Sequence, residues 1–149
     1  MTLEELHLHR LLVAIDGSDN STLALRAAIT AARRDHATVT LLYVAPEAQV
    51  TSLALTAGVP PVSQEALDKE AEKTLRDAVA LVPDDIPVHT VIRHGKAGPA
   101  IVAHARECDY DAILLGARGV GRVGALVGSV STHVLHHAEI PVFVAHAPI

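Results

Sequence analysis

Aromatic residues are almost missing from this chain: it has no tryptophan, one phenylalanine and two tyrosines in 149 residues. Half of the residues are nonetheless hydrophobic, so a core has to be built from Ala, Val, Leu and Ile. A chain of this length suits one core of ordinary size, and residues 1–149 read as a single domain. Cysteine is nearly absent too. The lone Cys108 cannot close an internal disulfide, which fits a reducing, cytoplasmic setting. No apolar run approaches the ~18–20 residues of a membrane helix. Residues 1–6 are acidic and lack a long apolar stretch, so no signal peptide is expected. A surplus of positive charge is missing as well. The formal net charge is -5 with both signs interspersed, which argues against a nucleic-acid binder and its basic patch. A local pocket for one small anion stays open.

What is present alternates. Leu11–Ile15 is an apolar run that stops at the turn signal Asp16-Gly17-Ser18. Ser21 to about Asp35 carries Leu23, Ala27, Ala28 and Ala31 at helical spacing, and Val39–Val44 is a second apolar run. Both runs are apolar on both faces, as interior parallel strands are. Residues 45–63 form a long connection holding Pro46, Gly58, Pro60 and Pro61, with room for a short helix across Ser52–Leu55. Ser63 reads as a helix cap followed by Leu67, Ala71, Leu75, Ala78 and Val82. The charges on the other side of that helix read as a solvated face. Val88–Ile92 is a third strand, polar enough for an edge. Gly98-Pro99 opens a third helix, with proline expected at its first position. Ala112–Leu115, a helix from about Ser129 to His137, and Pro141–Ala145 complete the order β-α-β-α-β-α-β-α-β. That order predicts an α/β fold, an open parallel five-stranded sheet with helices on both faces. In such sheets ligands bind beyond the carboxyl ends of the strands.

Residues 116–131 hold five of the nine glycines and lie between a strand and a helix. Glycines in that place let a backbone approach a phosphate closely. A P-loop is excluded, because it needs a Lys after its last glycine and no Lys follows Lys96. Gly119-Val120-Gly121-Arg122-Val123-Gly124 matches GxGxxG, but it follows the fourth strand, and the next strand ends without the acid that a dinucleotide site requires.

A third template, Gly-x2-Gly-x9-Gly-(Ser/Thr), fits better. With it the chain resembles the universal stress protein family along nearly its full length. The resemblance is carried by Leu12–Ser18, Val39–Val44, His94–Ile101, Asp111–Gly119, Gly128–Ser131 and Ile140–Val144. It implies a Rossmann-like domain of the adenine nucleotide alpha hydrolase type that binds ATP and pairs as a homodimer. By that resemblance Asp16 would lie near base and ribose, and Val44 would offer backbone groups to adenine. Gly116 and Gly119 would let the backbone pass ribose and phosphates. Gly128, Ser129 and Val130 would meet the phosphates at a helix start, where N–H groups are unpaired. Arg118 and Arg122 could meet phosphate charge or be exposed loop arginines. One departure stands out: eight residues, not nine, separate Gly119 from Gly128.

Other constellations are weaker. His133 and His137 are spaced to share a metal, but no third ligand is placed, so they read as surface histidines at a helix C-terminus. Asp16 could be a base, a Mg2+ ligand through water, or a turn cap. Ser18-Asp19 has no histidine placed to activate a nucleophile, and Cys108 reads as packing. The expectation is a nucleotide-binding regulatory module, with ATP and Mg2+ as ligands. It would be a homodimer joined through Ile140–Val144, an apolar last strand at an edge. The alternatives are a slow ATPase on the same site and a dimerisation protein that binds no nucleotide.

Overall fold

A computed structural model describes residues 2, 5–48, 55–117 and 128–147. Its strands are β1 (Arg10–Ala14), β2 (Thr38–Ala45), β3 (Val88–His94), β4 (Ala112–Gly116) and β5 (Val142–Ala145). Its helices are α1 (Asp19–Asp35), α2 (Gln64–Val79), α3 (Ala97–Glu107) and α4 (Ser129–His137). All strand pairs are parallel, in the order β3-β2-β1-β4-β5. The chain winds outward from β1 in one direction and resumes at β4 in the other, so β1 and β4 flank the point where strand order reverses.

The period of two along each strand sends side chains to two separate cores. Leu11 and Val13 of β1, Val39 and Leu41 of β2, and Ala112 and Leu114 of β4 join Leu25, Ala28 and Leu75 on the α1–α2 face. Leu12, Leu42, Ile113 and Leu115 join Ile101, Val102 and Val134 on the α3–α4 face. With so few aromatics, small side chains let the helices lie close to the sheet: Ala24, Ala28 and Ala71 are wholly buried. As its polarity suggested, β3 is an edge strand; β5 is the other.

Two local expectations are revised. The third helix, expected to carry proline at its first position, starts at Ala97, which puts Pro99 third. That position is still in the first turn, where a missing N–H breaks no intrahelical bond. The helix expected from Ser21 starts at Asp19, because Ser18 caps it: the Ser18 hydroxyl accepts from the Ser21 N–H at 3.2 Å. Ser63 caps α2 as expected, accepting from the Ala66 N–H at 3.1 Å. Of the short helix considered across Ser52–Leu55, Ser52–Ala54 lie outside the described residues, and a helical turn is present from Leu55.

Candidate functional site

Where strand order reverses, the ends of β1 and β4 part and a cavity of about 710 Å³ opens above them. Its wall takes Ala14–Asp16 from the end of β1, Leu42–Val44 and Pro46 from the end of β2, and Leu115 and Gly116 from β4. The starts of α3 and α4 close it, through Gly95–Pro99 and Ile101 and through Ser129, Val130 and His133. Five of the residues singled out from the sequence, Asp16, Val44, Gly116, Ser129 and Val130, therefore line one cavity although they come from four separate segments. Gly128 stands next to it as the N-cap of α4. Arg118, Gly119, Arg122 and the rest of the short loop lie outside the described residues.

The helix starts differ in a way that bears on the cavity's chemistry. The N-termini of α1 and α2 are each capped by a serine hydroxyl, whereas neither α3, which begins after Lys96, nor α4, which begins after Gly128, has a side-chain cap. Both uncapped helices start in the cavity wall. An uncapped first turn presents backbone N–H donors and the positive end of the helix dipole. The described wall also carries one lysine, Lys96, and one histidine, His133, against one carboxylate, Asp16. Such a wall suits a ligand that is apolar at one part and anionic at another.

Asp16 does what a turn-closing aspartate does: its Oδ1 accepts from the Ser18 N–H at 2.9 Å, with Gly17 at φ 82°. Ser18, considered above as a nucleophile, is engaged as a helix cap. Burial first, and then the carboxylates of Glu70 and Asp16, raise the Tyr43 phenol above its ordinary value and keep it protonated. Gly116 is needed for a reason independent of any ligand. A Cβ there would lie 2.4 Å from the Asn20 carbonyl carbon and 2.5 Å from the Ser21 nitrogen. The start of α1 thus packs directly on the end of β4.

Asn20, which sequence reasoning missed, holds that approach. It is buried, its Nδ2 donates to the Ala117 carbonyl at 2.5 Å, and its Oδ1 accepts from the Ala147 N–H at 3.1 Å. It therefore ties three chain segments next to the wall residues Ser21 and Gly116, and no periodicity signals it. Lys96, Tyr43 and His133 were also missed as wall residues. Gly98 packs on His133, with its ideal Cβ position 2.9 Å from that of the histidine. The rings of His133 and His137 stack at 4.1 Å. Among the described residues no group of three His, Cys, Asp or Glu side chains could hold a metal ion, and no helix is long and apolar enough to cross a membrane.

A parallel sheet wound in both directions, with its crevice at the switch point, defines a class of α/β proteins that take small ligands beyond their strand ends. Residues 7–146 match the universal stress protein family, and the chain belongs to that family. Universal stress protein YxiE of Bacillus subtilis is 34% identical over 145 residues, covering 91% of this chain and 97% of its own. Among solved structures, universal stress protein UspA from Lactobacillus plantarum is 28% identical with a TM-score of 0.72, covering 94% of this chain and 99% of that one. A universal stress protein from Archaeoglobus fulgidus, solved in complex with dAMP, shares the fold with a TM-score of 0.70 at 24% identity, covering 95% and 99%.

Proposed function

We propose that the cavity binds an adenine nucleotide, ATP in the cell, and that the chain is a regulatory module of the stress response whose state reports occupancy. One observation carries this reading: residues from four segments converge on one cavity into which the N-termini of α3 and α4, both without side-chain caps, open. The Archaeoglobus fulgidus relative with dAMP, and an Arabidopsis thaliana relative of the same fold with AMP bound, support the ligand class.

In this reading the base lies against the backbone of Val44, with Asp16 toward base and ribose. Gly116 and Gly119 pass the ribose, and Gly128, Ser129 and Val130 receive the phosphates with help from Arg118. The donor set fits a phosphate chain, because backbone N–H groups of a first turn are available there. Mg2+ would enter on the triphosphate rather than on a protein ligand set. When bound, ATP supplies the phosphate charge that these donors read. Asp16, already closing a turn, is the one carboxylate of the described wall, which favours binding over hydrolysis.

The partner in this reading is a second copy of the chain. β5 is an edge strand, and Phe143 on it is 41% exposed, an apolar edge that another chain would cover. Sedimentation should show a dimer at micromolar concentration that Phe143→Asp splits; a monomeric wild type would rule the dimer out.

Calorimetric titration of ATP into nucleotide-stripped protein tests the binding. A saturable one-to-one heat that Gly128→Val removes supports the reading. No heat, confirmed by equilibrium dialysis, would mean that the eight-residue spacing does not build a phosphate cradle, and that the chain works as a dimerisation protein. Phosphate release that depends on Asp16 would instead make it a slow ATPase.

A further inference from the structure

The rim of the cavity on the β2–β3 side is held by one chain of hydrogen bonds. Gln64, the first residue of α2, accepts at Oε1 from the Ala48 N–H at 2.9 Å. Its Nε2 donates to the Pro46 carbonyl at 3.3 Å and to Asp68 Oδ1 at 3.0 Å. Asp68 Oδ1 also meets His94 Nε2 at 2.9 Å. His94 leads directly into Gly95, whose N–H donates to the Ala45 carbonyl at 3.0 Å. Pro46, Gly95 and Lys96 all line the cavity.

This chain has a defined polarity. The Gln64 oxygen faces a donor and its nitrogen faces two acceptors, so rotating the amide by half a turn would set like against like at all three contacts. Asp68, receiving from Gln64 first and His94 second, is held below the usual carboxylate range and stays ionised. The two residues sit four apart on a helix face whose charges read from sequence as merely solvated. In the fold they tie the exit of β2 and the exit of β3 to one helix start. The rim they fix is the one nearest Val44.

We propose that Gln64, acting through Asp68 and His94, is a positioning residue that sets the rim on the base side of the cavity and thereby selects adenine over guanine. This rests on the reading that the cavity holds an adenine nucleotide with its base at Val44. Guanine has a carbonyl oxygen at C6 where adenine has an amine, and an amine at C2 where adenine has only hydrogen. A rim held to a fixed width excludes that added bulk, and a loosened rim admits it. The phosphate end lies at the start of α4 and makes none of these contacts, so it keeps its own selectivity.

The test is calorimetric titration of ATP, GTP and AMP into stripped wild type, Gln64→Ala and Gln64→Glu, with thermal unfolding of each ligand-free protein as a folding control. Gln64→Glu keeps the shape but turns a carboxylate toward the Pro46 carbonyl and Asp68. The expected result is that both variants lose the preference for ATP over GTP by about tenfold while the ratio of ATP to AMP affinity holds. A role in shape alone would leave Gln64→Glu like wild type, and a role in stability alone would weaken all three ligands together; either result overturns the proposal. Wild type that binds ATP without preferring it to GTP overturns this inference and leaves the nucleotide reading intact. Wild type that binds no nucleotide overturns both.

Discussion

Replacing Gly116 with alanine separates two roles that the position combines. As a residue of the glycine stretch it is expected to serve a ligand, yet its surroundings make it a folding requirement first. The new Cβ would stand 2.4 Å from the carbonyl carbon of Asn20 and 2.7 Å from its oxygen. Both atoms are backbone, so no side-chain rotation relieves the clash. Either the first turn of α1 or the end of β4 must move by about an ångström, a case of overpacking that costs ~1–3 kcal/mol. The same shift stretches the hydrogen bonds from buried Asn20 to Ala117 and Ala147, and a buried polar group left without a partner costs ~1–3 kcal/mol. Against this, alanine restricts the unfolded chain and returns about 0.4–1 kcal/mol. The net loss is about 1–5 kcal/mol, which at ~2–4 °C per kcal/mol for a chain of this size lowers the midpoint by roughly 2–20 °C. Urea and thermal unfolding of the ligand-free protein measure it. Stability within about 0.5 kcal/mol of wild type, the range of ordinary surface changes, would refute the reasoning. Gly116 would then be there for the ligand alone.

Other outcomes follow from the buried polar groups. Asn20→Ala strips partners from the Ala117 carbonyl and the Ala147 N–H and should cost about 1–3 kcal/mol in urea unfolding; an unchanged midpoint would deny it the tying role. His104, buried on α3, accepts at Nδ1 from Arg93 and so donates from Nε2 to the Tyr110 hydroxyl. Burial first and the Arg93 charge next hold it neutral, below its ordinary value, against the opposing pull of Glu107. The unfolded chain then takes up a proton that the folded chain refuses. Stability should accordingly fall as pH drops from ~7 to ~5, by up to ~1.4 kcal/mol per pH unit. His104→Gln should flatten that limb, and an identical slope in the variant would contradict it. Asp35 is held below the carboxylate range by Arg34 first and by the Leu8 N–H next. Its contribution is present above about pH 4 and is lost as acid protonates it; Asp35→Asn should remove part of the loss seen between pH 4 and 2.

The order of the nine elements was legible because each has a clear period, two in the strands and 3.6 in the helices. What periodicity leaves unread is who stands next to whom. Strand order is a property of the whole chain, and the cavity exists because β1 and β4 part at the reversal. The residues at the strand ends could be picked out, Asp16 and Gly116 among them, but not the packing that gives them a second purpose. Asp16 closes a turn, and Gly116 makes room for the backbone of α1. Asn20 and Gln64 each sit in the first turn of a helix, where polar side chains are ordinary. Their distant partners lie 97 and 127 residues away for Asn20 and 16 and 18 away for Gln64, distances over which no local pattern speaks. His104 was likewise hidden on a short amphipathic helix, because a histidine gives no sign in sequence of the arginine that will face it. Ser18 and Ser63 were the easiest to place, since a cap and its target are neighbours in the chain.

The role proposed for the cavity above β1 and β4 is to hold a nucleotide. Its most direct test is to purify the protein gently, denature it, and identify the released small molecules by mass spectrometry, for wild type and for Gly128→Val. The Gly128 backbone is extended, with φ -79° and ψ 177°, a conformation that valine adopts, so the variant should fold and a loss of ligand would report on the site. ATP or another adenine nucleotide is expected near one per chain in wild type and none in the variant. A wild type that carries no nucleotide and gives no binding heat after stripping would contradict that role.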